Sequence, residues 1–436
     1  MRTDLSDPTT LGGHSTLDGT ILEALEFMLE PLVTGMERAL RVNGRPDLVD
    51  KIKNYVWFRV GLGMVRPVRI DDLWDTSSLN FNKYLANVLS RQDYYHLVKY
   101  SKGNIGGILE RCSLKWAQGW VLGKAAAGDE TIIPFKGKTG LRQFVPRKPH
   151  NTGLKLYCLA DCVHAYTVDV YLYTGKRGIV RPATPAVGRF NPAAIVQRWG
   201  DLLPEGCALV CDSYFGTMPT AESLHDRRIP FLLLTKKKTR GIPELSQGCP
   251  PGSFRTERHE RGFTVAVYKN PQQGTRPPKT IPFLYNCRFR NEPVMHKNGY
   301  RLPRPVYCYR RLAGGVDTAN QLALQHREVG RCSTWSQAAR QFLIRYALVN
   351  AFATCHTRRL IPHKESLLAF QWACMKAVCG QPLQQPVREA AHVPVRMEKR
   401  KSCRGVGCGS RGSTIWRCSA CDCPLHIACF AAHHGV

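Results

Sequence analysis

Three aspartates in this chain are candidates for chemistry on a phosphate. Asp161 closes the apolar run "LKLYCLAD", Asp212 closes "CALVCD", and Asp317 opens the helix-like stretch after the glycine pair in "GGVDTANQ". An Asp at the mouth of a buried strand is poorly solvated. It either caps the next loop or holds a cation, and each one alone is read most simply as a structural cap. Asp317 alone is most simply a helix N-cap, the preferred place for Asp. Together, two carboxylates at strand ends and one at a helix start suit a site for two divalent ions. Mg²⁺ and Mn²⁺ take hard oxygen ligands, and a pair of them can activate a water or a 3′-hydroxyl and stabilise the leaving oxygen. Asn320 lies one helical turn beyond Asp317 and shares its face. Its amide offers an oxygen but no charge.

A second set of chemistry-bearing residues crowds the tail, "CRGVGCGSRGSTIWRCSACDCPLHIACFAAHHGV" (403–436). The spacing is Cys403-x4-Cys408, Cys418-x2-Cys421 and His426-x2-Cys429, followed by His433 and His434. Paired sulfur and nitrogen ligands separated by loops are the signature of structural zinc, with ligands for one ion or two. So short a segment cannot build a hydrophobic core without a staple. The other twelve of the 18 cysteines are scattered from Cys112 to Cys379 and read as buried, reduced thiols.

The elements that must position these residues differ along the chain. The 436 residues are 43% hydrophobic, which fits a folded protein of two or three domains. Residues 1–19 are polar and expected to be mobile. Apolar residues recur at helical spacing through 20–130, which predicts a helical region. Residues 131–153 form a basic loop carrying Lys136, Lys138, Arg142, Arg147, Lys148 and His150. Cations here, leading into the strand that ends at Asp161, could hold a DNA backbone. Short apolar and β-branched runs follow at 154–161, 165–175, 207–212 and 229–235, with a helical stretch before the last. This is a mixed α/β sheet. Residues 236–305 lose the pattern and read as an insertion, although "FTVAVYK" and "IPFLYNC" suit short strands. A strongly apolar helix returns at 336–359, the α/β domain runs to 379, and 380–402 has the composition of a linker.

Lys plus Arg number 62 against 33 Asp plus Glu, a formal net charge of +29 spread along the chain rather than confined to a tail. A folded protein so basic is expected to meet a polyanion, with double-stranded DNA the leading candidate. The segments "TKKKTRG" (235–241) and "RMEKRK" (396–401) could contact phosphate or direct nuclear import. No apolar run approaches ~18 residues, so no membrane partner is expected, and the polar start predicts no secretory leader.

The chain resembles the PiggyBac-type DNA transposases and the proteins derived from them. The resemblance is carried by "IIPFKGKTGLRQFVPRKPHNTGLKLYCLAD", "LVCDSYFGTMPTAESL", "GGVDTANQ" and "GRCSTWSQAARQFLIRYALVNAF", the last with Trp335 on the family's tryptophan. It implies an RNase H-like catalytic domain interrupted by an insertion, with Asp161, Asp212 and Asp317 as ligands of two Mg²⁺ or Mn²⁺. It implies cut-and-paste transposition at TTAA targets, a nuclear location and a homodimer on DNA. It also implies a cross-braced, RING-like tail with two zincs that binds transposon ends. His426 then stands where many members have Cys, His434 takes the terminal His position, and Cys423 and His433 compete for the eighth ligand. The family commonly carries an Asp where this chain has Asn320. The rival expectation is therefore a domesticated DNA-binding protein, catalytically impaired.

Overall fold

The computed structural model describes residues 3–146, 148, 150–175, 191–272, 277–295, 299–325, 332–362, 365–379, 394–403, 413–418, 423–426 and 429. They fall into two compact units, 1–381 and 382–436.

The first unit begins with five helices: α1 (Ile21–Val42), α2 (Ile52–Val65), α3 (Lys83–Val88), α4 (Arg91–Tyr100) and α5 (Ile105–Gln118). Thr20 and Glu23 start α1 with a reciprocal capping box, which satisfies two of the N–H groups a helix leaves unpaired at its start. Asn82, Ser90 and Asn104 cap α3, α4 and α5 in the simpler way. α2 is apolar nearly all round and is correspondingly buried.

A nine-stranded sheet follows. Its strands are β1 (Ala125–Pro134), β2 (Arg142–Phe144), β3 (Thr152–Asp161), β4 (Thr167–Leu172), β5 (Ala208–Cys211), β6 (Phe231–Leu234), β7 (Phe254–Arg258), β8 (Thr264–Lys269) and β9 (Thr280–Tyr285). The spatial order is β2-β3-β1-β5-β6-β9-β8-β7, with β4 also paired to β3. β1 runs antiparallel to β3 and parallel to β5, and β5 runs parallel to β6. Helices α6 (Pro192–Leu202), α7 (Met218–Asp226) and α8 (Ile242–Ser246) lie between strands in sequence. A bidentate Arg198–Asp169 pair, 2.6 and 2.8 Å, joins α6 to β4 in the interior. The unit closes with α9 (Arg304–Leu312), α10 (Gly315–Gln325), α11 (Trp335–Thr357) and α12 (Leu367–Cys379). α11 is buried along most of its length and packs on α1.

Several expectations change here. Residues 1–19, expected to be mobile, are anchored where they are described, with Leu5, Ser6, Pro8, Leu11 and Gly13 buried and the residues between them mostly exposed. Leu5 and Leu11 are buried in the same core cluster as Ala127, Leu232 and Cys308. Their backbone is held too: Leu5 N donates to Arg288 O, Arg288 N donates to Thr3 O, and His14–Ser15 pairs with Trp120–Val121. The composition of this strap is polar, but its few leucines are what it buries.

The helical region stops at Gln118, and residues 125–130 are strand. "AAAGDE" suggests a helix by propensity, yet its small side chains are needed at the sheet centre. A Cβ on Gly128 would lie 2.3 Å from the Trp199 ring of α6. The predicted loop at 131–153 contains the rest of β1 and all of β2. The segment 236–305 continues the sheet, since β9 pairs with β6.

In the second unit, part of the expected linker is a strand. β10 (Pro394–Ser402) pairs antiparallel with β11 (Ser413–Cys418). The ten described cysteines from Cys112 to Cys374 other than Cys332 are buried and unbridged.

Candidate active site and metal centre

The register of three strands creates a notch at the centre of the sheet. β1 matches β5 from Ala125 opposite Ala208 to Gly128 opposite Cys211. β5 then ends, while β1 continues along β3 to Pro134. Asp212 is the first residue beyond β5. Asp129 and Glu130 are the first residues of β1 beyond the matched stretch. Ligand sites of open α/β sheets form at such carboxyl ends of parallel strands.

Lys148 fills the notch from the loop between β2 and β3. Its ammonium donates to the Glu130 carbonyl at 3.2 Å and to Asp129 Oδ2 at 3.4 Å. It also lies 3.8 Å from Glu130 Oε1 and 3.9 Å from Asp317 Oδ1. Asp317 is the third residue of α10 and is exposed. α10 can approach because Gly315 has no side chain: a Cβ there would stand 2.7 Å from the Asp161 carbonyl and 3.3 Å from Ala127 Cβ. That close approach explains the second glycine of "GGVD".

The electrostatics show how crowded the cluster is. Burial and the neighbouring Glu130 push the Asp129 carboxyl up to about 7, against the pull of Lys148, with Asp212 adding to the rise. Asp212 is raised as well, first by burial and also by Glu130. Lys148 would be lowered by burial, but Asp129, Glu130 and Asp317 together hold it above its ordinary value. Glu130 Oε2 is buried with no hydrogen-bond partner among the described residues. An orphaned carboxylate oxygen beside three other carboxylates fits a divalent cation of the hard, oxygen-seeking kind.

Asn320 stands beside this cluster in a different role. Its Oδ1 accepts hydrogen bonds from the Thr131 hydroxyl of β1 and from the Tyr346 hydroxyl of α11, the latter at 2.5 Å. Burial raises the Tyr346 phenol well above its ordinary value, so it stays a donor. Asn320 therefore ties α10 to the sheet on one side and to α11 on the other.

The structure brings Asp212 and Asp317 together but not Asp161. In the β1–β3 ladder Asp161 faces Ala126 while Cys158 faces Asp129. Asp161 is thus three residues from Asp129 along β1, about 10 Å, and projects from the opposite face of the sheet. Its carboxylate is fully committed to backbone. Oδ2 accepts from Gly13 N at 2.7 Å, and Oδ1 accepts from Val163 N at 2.9 Å and His164 N at 2.8 Å. Asp161 caps its own turn and anchors the N-terminal strap. Asp129 and Glu130 are the residues that sequence reasoning missed. The signal was the pair of adjacent acids in "AAAGDETIIP", masked by the helical look of the alanines.

Among the predicted DNA contacts, Lys136, Lys138 and Arg142 are exposed, and Arg142 donates to the carbonyls of Lys136 and Gly137. Arg147 lies outside the described residues. Trp335 is half-buried in the first turn of α11, which Thr334 caps. Lys236, Lys237 and Lys238 are exposed.

In the second unit, ligand atoms of Cys403, His426 and Cys429 all lie within 4.8 Å of one another. His426 N donates to Cys403 Sγ at 3.3 Å. Zinc bonds of about 2.0–2.3 Å in a tetrahedron need donors a little under 4 Å apart, so this trio fits a zinc ion with small adjustment. Cys418, buried at the end of β11, donates its N–H to the carbonyl of Cys423. Cys408, Cys421, His433 and His434 lie outside the described residues.

Comparison with known proteins agrees with this architecture. A family profile described as Transposase IS4 matches residues 48–352. The human PiggyBac transposable element-derived protein 3 is 22% identical over 345 residues, which cover 70% of this chain and 54% of that protein. The human chimeric ERCC6-PGBD3 protein is 22% identical over 345 residues, 70% of this chain and 30% of that protein. The chain thus spans about half, or less, of the length of these relatives. A cryo-EM structure of the piggyBac transposase synaptic complex with hairpin DNA superposes with a TM-score of 0.67 at 17% identity, covering 95% of this chain and 97% of that one. At that identity the likeness concerns the fold.

Proposed function

Starting from a chain that belongs to the transposase IS4 family, we propose that it cleaves DNA strands and transfers them, by cut-and-paste transposition of the piggyBac type at TTAA sites. The observation that carries this reading is the notch at the end of β5, where Asp129, Glu130, Asp212 and Asp317 surround one lysine. Asp129, Asp212 and Asp317 would hold two Mg²⁺ or Mn²⁺, with the buried Glu130 oxygen as a further ligand. Bound there, the ions would supply an activated water or 3′-hydroxyl and stabilise the leaving oxygen. Three antiparallel strands followed by two parallel ones (β4-β3-β1-β5-β6) support an RNase H-like assignment of the sheet.

The protein's own groups do the rest. Partial burial keeps Asp129, Glu130 and Asp212 poorly hydrated, so they favour a cation strongly. Exposed Lys136 and Lys138, between β1 and β2, and Arg142 at the start of β2 would hold the phosphate backbone, and the net charge of +29 would draw DNA to the surface. Cys403, His426 and Cys429 would fold the tail around zinc, in a RING-like module that contacts DNA ends. A homodimer acting on chromosomal DNA in the nucleus completes the reading.

The rival reading, a transposase-derived DNA-binding protein without turnover, rests on Asn320. The hydrogen bonds from Thr131 and Tyr346 give Asn320 work that needs no charge. Four carboxylates remain at the notch without it, which favours the catalytic reading. The test is nicking of a DNA duplex in Mn²⁺ by wild type and by Asp129→Asn, Asp212→Asn, Asp317→Asn and Asp161→Asn. The first three should lose at least a hundredfold in rate, and Asp161→Asn should cleave normally per folded molecule. If Asp129→Asn cleaves like wild type, the assignment fails.

A further inference from the structure

We propose that Lys148 is an exchangeable counter-ion: its ammonium leaves the carboxylates when divalent ions occupy them and then pairs with a DNA phosphate, so that metal and DNA binding reinforce each other. This rests on the reading of the notch as a metal site. The four carboxylates carry up to four negative charges, and Lys148 neutralises one. Two dications carry four positive charges. With both present the lysine is surplus, and like-charge repulsion would expel it.

The geometry suits departure. Lys148 touches three carboxylates at 3.4, 3.8 and 3.9 Å. These are loose contacts beside the 2.7–2.9 Å typical of a charge-assisted hydrogen bond, so charge, with one 3.2 Å hydrogen bond to the Glu130 carbonyl, holds the ammonium. The side chain is 27% exposed, which leaves it a route to solvent. It also projects from the segment that carries exposed Lys136, Lys138 and Arg142, so a short swing would bring it into the same basic surface. A fixed structural ion pair would instead be short, bidentate and buried, as Arg198–Asp169 is.

The experiment uses the full chain, with Mn²⁺ as probe and calorimetry or electron paramagnetic resonance as readout. Lys148→Met should bind Mn²⁺ about tenfold tighter than wild type in the absence of DNA, while Lys148→Arg stays close to wild type. A second readout is the salt dependence of duplex binding, measured in EDTA and in Ca²⁺. Each phosphate contact contributes about 0.9 to the log–log slope. The metal-induced increase in slope should be larger by about 0.9 in wild type than in Lys148→Met. Should Lys148→Met misfold, Lys148→Gln serves for both measurements. Unchanged or weaker Mn²⁺ affinity in Lys148→Met or Lys148→Gln overturns the exchange. Asp129→Asn separates the two levels: if it binds Mn²⁺ like wild type, the metal site itself is wrong. If it loses Mn²⁺ while Lys148→Met changes nothing, only the exchange is wrong.

Discussion

Asp129→Asn is the most informative single substitution, because it should improve one property while destroying another. The Asp129 carboxyl stands near 7 in the folded protein, raised by burial and by Glu130, against an ordinary value of 3.8. A carboxyl raised on folding binds its proton more tightly in the native state than in the unfolded one. Stability is therefore lost as pH rises from about 4 to about 7, and is level above that. A gap of about three pKa units corresponds to at most about 4 kcal/mol, at 1.36 kcal/mol per unit. Asparagine mimics the protonated carboxyl and never ionises. In EDTA, the variant should match wild type near pH 3.5 and exceed it increasingly up to pH 7, by as much as about 4 kcal/mol. Urea denaturation at half-unit pH steps measures this difference, and taking the difference cancels the other titrating groups. Adding Mn²⁺ at pH 7.5 should then reverse the order, since only wild type gains stability from the ion. A difference between the two proteins that does not vary with pH would refute the argument that Asp129 is strained by its neighbours.

Three further outcomes follow from other contacts. Asp161→Ala should cost roughly 3 kcal/mol or more, because it strands three backbone N–H groups; Mn²⁺ affinity of the folded fraction should not change, and a loss of affinity would return Asp161 to the metal site. Gly315→Ala should cost roughly 2 kcal/mol through the clash with the Asp161 carbonyl, and should lower the melting temperature; an unchanged melting temperature would mean that α10 does not need its close approach. Removing zinc with a chelator, or Cys403→Ser, should open the 394–436 region to protease while the 1–381 unit stays resistant; equal resistance before and after chelation would count against the zinc centre.

Much of the sheet could be read from the sequence because its strands advertise themselves. "IPFLLLT" and "FTVAVYK" are β-branched, aromatic or leucine-rich, and both became strands. β1 did not advertise itself. Its alanines and glycine are chosen for the space under Trp199 and beside α10, and local propensity points the other way. That one misreading left the acids of β1, which stand beside Lys148 in the notch, out of the candidate set and put the next strand-terminal Asp in their place. Asp161 did carry a warning: the turn that follows it presents two N–H groups to its carboxylate, which is the ordinary local use of Asp. The work of Asn320 could not be read at all. Its partners Thr131 and Tyr346 are 189 and 26 residues away, and only the folded chain brings them together. In the tail the reverse holds: Cys403, His426 and Cys429, whose ligand atoms the fold gathers, lie within one short segment, so spacing alone suggested them.

The N-terminal strap has a consequence for how the protein is made. Ser6 accepts from Arg290 N across 284 residues, and Leu5 accepts from Cys308 Sγ across 303. At about 5–20 residues per second, the ribosome delivers those partners roughly 15–60 seconds after the strap itself. During that interval the core around Leu5 and Leu11 has its strands but lacks Cys308 and the rest of α9, and it waits incomplete. The protein's window of exposure to chaperones and to aggregation is thus set by translation speed, and slow codons between the strap and α9 would lengthen it.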